Sequence, residues 1–240
     1  MGSLGSLGEQ LIATRVSGKE KLRLAFIQSD PEVVLRVMDE LGPQGISNAL
    51  NEDRIIWLAA TLETVLLQSN DFIMDMVRHG LPLDARIHTA GLAPRTPLHF
   101  VVEGGNIAHA RDLLDRGADP NDYDRGNAHP LNVACSLRSE HSALALVELL
   151  LSRGSNPNGY DTHHTPLFCL AEQGWVEPAL LLLDQGAHGT MSTITDRSVV
   201  EMARIKGHYT WADTIEAVLA SRLLDANTLA QNKTGERIRL

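Results

Sequence analysis

The residues of this sequence best suited to chemistry are its ten histidines and two cysteines. His129, His163 and His164 occur near Asp124 and Asp161, and imidazole and carboxylate groups together can bind a metal ion. The chain has no compact His-x-x-x-His or Cys-x-x-Cys motif, however, so the spacing of these residues favours structural or partner-facing roles. The sequence therefore predicts no metal site.

The two cysteines, Cys135 and Cys169, occur in apolar segments. A nucleophilic cysteine needs an activating base and an exposed setting, and neither segment indicates one, so both read as small buried side chains. The sequence also lacks a Gly-rich phosphate loop and a Gly-x-Ser-x-Gly motif. We therefore predict a protein that is not an enzyme, with no catalytic residues and no cofactor.

Composition excludes several classes of protein. The 240 residues are 43% hydrophobic but only 4% aromatic, so a core must consist mainly of aliphatic side chains, which suits helices packed on helices. The net charge of −9 argues against nucleic acid as the main partner, because phosphate binding needs a basic surface. Two cysteines cannot form a disulfide framework, and no apolar run is long enough to span a bilayer. We therefore expect a cytoplasmic protein without a membrane span.

Three segments of the chain have the same order of residues, repeated at spacings of 32 to 37 residues. Each begins with a Pro-Leu pair, at positions 97, 130 and 166, and contains a second apolar run that ends at a glycine, at positions 117, 154 and 186. Proline suits the first turn of a helix, where its missing N–H is not needed, and glycine suits the left-handed position after a helix. The pattern predicts two helices per segment, whose apolar faces are buried only when segments stack.

The residues Thr96, Pro97, Leu98 and His99 match the Thr-Pro-Leu-His opening of the ankyrin repeat, so the chain resembles the ankyrin repeat family. The second copy has His129 in place of the threonine, and both later copies lack the histidine. The resemblance implies an all-α solenoid of helix-turn-helix repeats joined by hairpins. It also implies that His99 makes a structural hydrogen bond between turns.

Weaker copies extend the array to about six helix pairs, with degenerate N- and C-terminal repeats. Residues 21–28 with 31–42, and about 54–68 with 72–80, read as two early pairs, and residues 198–208 with 211–224 read as the last pair. The predicted organisation is a flexible N-terminus at 1–18, a repeat domain at 19–224 and a polar C-terminal tail at 225–240. Within the domain the clear repeats are 92–190, and the degenerate repeats are 19–91 and 191–224. The N-terminal pairs could instead form a separate helical bundle packed on the repeats.

The resemblance implies that the protein binds another protein through its hairpin tips and concave face. Tyr123 and Tyr160 occupy equivalent tip positions, and interfaces are enriched in tyrosine and arginine as anchors. Carried over position by position, the predicted partner-binding residues are Arg95, Glu103, Tyr123, Arg125, Leu137, Tyr160, Thr162, His163, Glu172, Gln173, Trp175, Arg197 and Lys206.

The predicted function is therefore a non-enzymatic interaction module that occupies the surface of a specific partner, as an adaptor, an inhibitor or immunity-type protein, or a secreted effector. The acidic charge favours a partner with a basic surface. The outer helices have no sustained heptads, so we expect a monomer. The alternative function is an enzyme or small-ligand-binding protein with a pocket between the hairpins and the longer loops at 86–95 and 136–141.

Overall fold

A computed structural model describes residues 17–28, 30–50, 55–57, 71–88, 93–123, 129–159, 165–188 and 198–237. The helices of the three clear repeats are α4 (Pro97–Glu103), α5 (Ile107–Asp115), α6 (Pro130–Cys135), α7 (Glu140–Ser152), α8 (Pro166–Gln173) and α9 (Val176–Asp184). The elements before and after them are α1 (Gly18–Gln28), α2 (Pro31–Ala49), β1 (Ile55–Trp57), α3 (Asp71–Arg78), β2 (Arg86–His88), α10 (Val199–Ile205) and α11 (Tyr209–Arg237).

The inner helices of the clear repeats begin at the prolines that the sequence indicates, and an extended residue precedes each of them. Before α8, the hydroxyl of Thr165 accepts a hydrogen bond from the N–H of Phe168 at 3.2 Å. Before α6, Nδ1 of His129 accepts from the N–H of Leu131 at 3.3 Å. Both side chains therefore satisfy amide groups that the first helical turn leaves unpaired.

The residue before α4 uses its side chain differently. The hydroxyl of Thr96 lies 2.8 Å from Nδ1 of His99 instead of accepting from a helix amide. His99 is fully buried, and this contact lies within one repeat, so the implied hydrogen bond between turns stays a prediction. The three glycines after the outer helices have the predicted left-handed backbone, with φ of 97°, 83° and 92° at Gly117, Gly154 and Gly186.

The helix pairs stack into one array with a continuous apolar core. Each inner helix contacts the next, from α4 through α6 and α8 to α10, and the outer helices α7, α9 and α11 follow the same order. Leu98, Leu131 and Leu167, at equivalent positions of the inner helices, are fully buried. The predicted all-α solenoid is therefore confirmed. In the part of the chain that the structure describes, no helix combines the length and the hydropathy needed to cross a bilayer.

The N-terminal part departs from the predicted helix pairs. A helix was expected over about 54–68, and that prediction is wrong at its start, because β1 (Ile55–Trp57) pairs in parallel with β2 (Arg86–His88). Two β-branched residues and a tryptophan favour an extended backbone there. Ile87 also exchanges two backbone hydrogen bonds with Arg95, at 2.8 and 3.0 Å. The strand β2 therefore lies between β1 and the entrance to the first clear repeat. Residues 58–70 lie outside the described ranges.

Two helices extend further than the sequence indicates. In α2 the predicted terminal glycine, Gly42, has φ of 62° and interrupts the helix, but Pro43 begins a further helical stretch that ends at Ala49. The last helix, α11, was expected to end at Leu224 and continues to Arg237. Most of the segment interpreted as a polar tail is therefore helical.

Asparagine side chains join successive hairpins. Asn121 donates through Nδ2 to the carbonyl of Gly154 at 2.9 Å, and its Oδ1 accepts from the N–H of Asn156 at 2.8 Å. The same oxygen lies 3.3 Å from Nε2 of His129. One side chain therefore fixes the position of one hairpin against the next.

Asn158 makes the corresponding contacts one repeat later. It donates to the carbonyl of Gly186 at 3.3 Å and accepts from the N–H of His188 at 2.7 Å. Because Asn121 also contacts the buried His129, we expect the earlier asparagine to contribute more to stability.

The substitution Asn121→Ala should lower the free energy of unfolding by about 2 kcal/mol, because it removes the hydrogen bonds that this side chain makes to Gly154, Asn156 and His129. Asn158→Ala removes two contacts and should have about half that effect. Urea denaturation of the two variants and the wild type measures both values. Equal losses, or a smaller loss at position 121, would contradict this account of the hairpin contacts.

Candidate functional site

The hairpin that follows α5 carries a large exposed side chain. Tyr123 is 54% exposed there. Its carbonyl accepts a hydrogen bond from Nη1 of Arg86 at 3.1 Å, and Nη2 of Arg86 lies 2.5 Å from Oδ1 of Asp122. Arg86 therefore holds the backbone of this hairpin, and Tyr123 extends from an anchored loop.

Arg95 connects the hairpin region to α4. Its backbone pairs with Ile87 of β2, and its Nη1 lies 3.2 Å from Oε2 of Glu103, the last residue of α4. The side chain of Arg95 is only 14% exposed and that of Glu103 is 40% exposed. Arg95 precedes α4 by two residues and Glu103 ends it, so the ion pair runs the length of the helix.

A cleft of about 440 Å³ opens where α4 and α6 end and α7 begins. Val133 and Leu137 contribute apolar surface, and Leu137 also packs against the core. Glu103 and Arg138 line the cleft, together with serines at 136, 139 and 142. The insertion at 136–141 therefore forms one wall of a recess.

These contacts connect four of the predicted partner-binding residues. Tyr123 is bonded to Arg86, whose neighbour in β2 pairs with Arg95; Arg95 pairs with Glu103, and Glu103 lines the cleft with Leu137. We call Tyr123, Arg95, Glu103 and Leu137 the tip–cleft surface.

The other described candidates lie at the opposite end of the array. Glu172 and Lys206 form an ion pair of 3.0 Å between the ends of α8 and α10. Gln173 is exposed beside Glu172. Trp175 precedes α9, is half-buried against the core, and its carbonyl accepts a hydrogen bond from Nε1 of Trp211 at 2.9 Å. Glu172, Trp175 and Lys206 hold the last repeat in place, and none of the four candidates joins the tip–cleft surface through a contact described above.

Five predicted partner-binding residues lie outside the described ranges, and their placement stays a prediction: Arg125, Tyr160, Thr162, His163 and Arg197. The same holds for His164, Asp124 and Asp161 of the histidine–aspartate set. Within the described ranges, no three or more His, Cys, Asp or Glu residues group in a way that could hold a metal ion.

His129, the described member of that set, belongs to the fold. It is 1% exposed, and both of its ring nitrogens have hydrogen-bond partners. Burial is the main cause that lowers the pKa of His129 to about 4, and the neighbouring His99 adds to the effect, while Asp119 and Asp122 oppose it. The imidazole is therefore neutral at neutral pH and serves as a helix cap.

The two cysteines are buried, as predicted. Burial raises the pKa of the Cys135 thiol well above its ordinary value, and the nearby Cys169 adds to this shift. A thiol with a raised pKa stays protonated at neutral pH, which disfavours nucleophilic chemistry.

Sequence reasoning missed Arg86 and Arg138. Arg86 bonds to Asp122 and Tyr123, which follow it by 36 and 37 residues, about one repeat length. Contacts between adjacent hairpins of a repeat array join residues one period apart, so this spacing was the available signal. Arg138 lies within the insertion, for which the other repeats provide no equivalent position.

Comparison with known proteins agrees with this architecture. The family model for the ankyrin repeat matches residues 95–125, from Arg95 through α4 and α5 to the hairpin that carries Tyr123. A search of curated proteins finds no match to the chain. Ankyrin repeats are in general protein-binding modules and are generally not enzymes. The chain therefore contains an ankyrin repeat at residues 95–125, and equivalent helix pairs are stacked after it.

Proposed function

We propose that the chain binds a specific partner protein through the tip–cleft surface. The observation that carries this proposal is the exposed Tyr123 on a hairpin whose backbone is held by Arg86. A tyrosine offers an apolar ring and a hydroxyl, and an anchored backbone has less conformational entropy to lose on binding. Such residues are the ones that interfaces use as anchors.

The cleft supplies a second contact, at the other end of the inner helices from this anchor. Val133 and Leu137 offer apolar surface to a partner side chain, and Glu103 is exposed enough to pair with a cation. Arg138 lines the same cleft, so the cleft itself carries both charges. The net charge of −9 on the whole chain is what favours a partner with a basic surface, through attraction at long range.

The proposed mode of action is occupation of the partner's surface. An inhibitor and an adaptor would use the same contacts and differ in whether the bound partner keeps its activity. Adding the chain to the partner at increasing ratios distinguishes the two. An inhibitor abolishes the partner's activity once a fixed stoichiometry is reached, whereas an adaptor leaves that activity intact.

The substitution Tyr123→Ala should weaken partner binding at least about 30-fold, the loss expected when an interface anchor worth about 2 kcal/mol is removed. Proteins retained from native lysate by the wild type and the variant are compared by mass spectrometry. The dissociation constant of the recovered partner is then measured by calorimetric titration.

Tyr209→Ala is the matched control, because Tyr209 is also an exposed tyrosine, at 64%, but lies at the start of α11. Both variants should keep the wild-type circular dichroism and melting temperature, since both rings are exposed. Binding that survives Tyr123→Ala but not Tyr209→Ala would show that the tip–cleft surface is the wrong one. A wild-type chain that retains no protein but is stabilised by small molecules would favour a ligand in the cleft.

A further inference from the structure

The last repeat has one side on which the described part of the chain places no further repeat. Each inner helix contacts the next as far as α10, the last inner helix of the described ranges. A groove of about 520 Å³ opens between α10 and α11, and it is lined by these two helices and by Ser198, which caps α10. The groove therefore lies where the inner helix of another repeat would pack.

The earlier inner helices show which of their positions face the next repeat. His99, the third residue of α4, is fully buried and lies near His129, which caps α6. Cys135, the sixth residue of α6, is fully buried and lies near Cys169 of α8. The third and sixth residues of an inner helix therefore face the repeat that follows.

The corresponding positions of the last repeat are charged. The third residue of α10 is Glu201 and the sixth is Arg204, and both are exposed and line the groove. Glu216 lines it from α11 and is the eighth residue of that helix, where α5 and α9 have the buried Leu114 and Leu183. Charge thus occurs at positions that the earlier repeats bury.

Apolar side chains remain on the same face of α11. Glu216, Leu219, Ala220 and Leu223 are spaced three and four residues apart, so they share one helical face, and all four line the groove. Leu219 also packs against the core, whereas Leu223 is 63% exposed. Val200 adds apolar surface from α10. The groove therefore combines apolar surface with charge, as grooves that bind amphipathic helices do.

The charges of this groove are mainly negative. Nη2 of Arg204 lies 3.2 Å from Oδ1 of Asp213 and 2.7 Å from Oε2 of Glu216. With Glu201, three carboxylates accompany one guanidinium. An uncharged helix packed here would bury carboxylates that it does not neutralise, and a second copy of the same groove would bring like charges together. An occupant that fits must therefore supply positive charge.

We propose that the groove between α10 and α11 binds a basic amphipathic helix of a partner protein. Apolar side chains of that helix contact Val200, Leu219 and Leu223. Its lysine or arginine side chains lie beside Glu201 and Glu216. The array supplies the geometry, because inner helices pack at this position in the earlier repeats, and the excess of carboxylates selects the charge. The groove is a second interface that shares no residue with the tip–cleft surface.

The test measures binding of the full chain to a fluorescent peptide of about 18 residues, or about five helical turns. The peptide consists of leucine, alanine and lysine, with its leucines on one helical face. A peptide of the same composition without an apolar face is the comparison. By fluorescence anisotropy at low salt, the amphipathic peptide should bind at least about tenfold more tightly. Tyr123→Ala should leave this binding unchanged, which separates it from binding at the tip–cleft surface.

Glu201→Lys tests the charge of the groove. It should weaken peptide binding about tenfold at low salt and less at high salt, because it replaces a carboxylate with a charge that repels the peptide's lysines. Glu148→Lys is the matched control, since Glu148 is exposed on α7 and the change in net charge is the same. Equal weakening by the two variants would show that only the net charge of −9 attracts the peptide, and would overturn the proposal.

Leu223→Ser tests the apolar contact and should weaken binding about tenfold. Leu224→Ser is its matched control, because Leu224 is 67% exposed but lies about 100° around the helix. Circular dichroism checks that the variants fold, as expected for changes at exposed positions. Equal binding of the two peptides, no binding up to about 1 mM, or binding that survives Leu223→Ser would overturn the proposal. So would a dimer of the chain in sedimentation equilibrium that Leu223→Ser abolishes, because a second copy would then occupy the groove.

Discussion

Gly174→Ala should lower the free energy of unfolding by about 3 kcal/mol. Gly174 follows α8 with φ of 77°, a conformation that costs an L-residue about 1 to 2 kcal/mol. A Cβ atom there would also overlap the ring of His208, 2.6 Å from its Cγ. The ring is not free to move away at no cost, because its Nε2 lies 3.0 Å from the carbonyl oxygen of Glu172.

Gly186→Ala separates the backbone strain from the overlap. Gly186 has φ of 92°, but nothing lies within 4 Å of a Cβ built on it, so only the strain of about 1 kcal/mol should appear. Urea denaturation at neutral pH measures both variants. The double variant Gly174→Ala with His208→Ala should be less destabilised than the sum of its single changes. If Gly174→Ala lowers the free energy of unfolding no more than Gly186→Ala does, the His208 ring moves aside without loss of stability, and our account of the overlap is wrong.

Gly174 lies at the junction between the last repeat and the one before it. The same junction holds the ion pair between Lys206 and Glu172 and the hydrogen bond from Trp211 to the carbonyl of Trp175. These contacts all join the last repeat to the one before it. A weakened junction would therefore release α10 and α11 together.

The clear repeats could be predicted because short-range rules and tertiary packing agree there. Pro97 and Pro166 begin helices since proline needs no amide partner in a first turn, and Gly117 ends one since it adopts a left-handed backbone. Each repeat has the same neighbours, so one period of sequence determines the pattern for the next. The exposed Tyr123 could be placed at a tip for the same reason.

The parts that could not be predicted depend on contacts between distant residues or on features that do not repeat. The strand Ile55–Trp57 pairs with residues about 31 positions later, and a run of three apolar residues is too short for its periodicity to separate a strand from a helix. The role of Arg86 depends on that pairing, because β2 aims it at the next hairpin. The continuation of α11 to Arg237 has a polar composition, which predicts a tail rather than a helix.

Below about pH 6.5 the protein should lose stability because of His129, and His129→Thr should remove this loss. The pKa of His129 is about 4 in the folded chain, against 6.5 for an ordinary histidine. Between these values the unfolded chain binds a proton that the folded chain does not, so the free energy of unfolding falls as the pH is lowered. The stability that depends on a neutral His129 is fully present above pH 6.5 and is lost by about pH 4. This loss amounts to about 3 kcal/mol in the free energy of unfolding. Protonation also turns Nδ1 into a donor facing the N–H of Leu131, which ends the helix cap.

A threonine at position 129 can cap α6 as Thr165 caps α8, without a titrating group. His129→Thr should therefore be slightly less stable than the wild type at pH 7, by about 1 kcal/mol for the lost contact with Asn121, and more stable at about pH 4.5. Urea midpoints measured from pH 7 to pH 4.5 should cross between the two proteins. His141→Gln, a change at an exposed position of α7, should keep the wild-type pH dependence. If His129→Thr and the wild type stay parallel over this range, the acid sensitivity has another source and His129 does not control it.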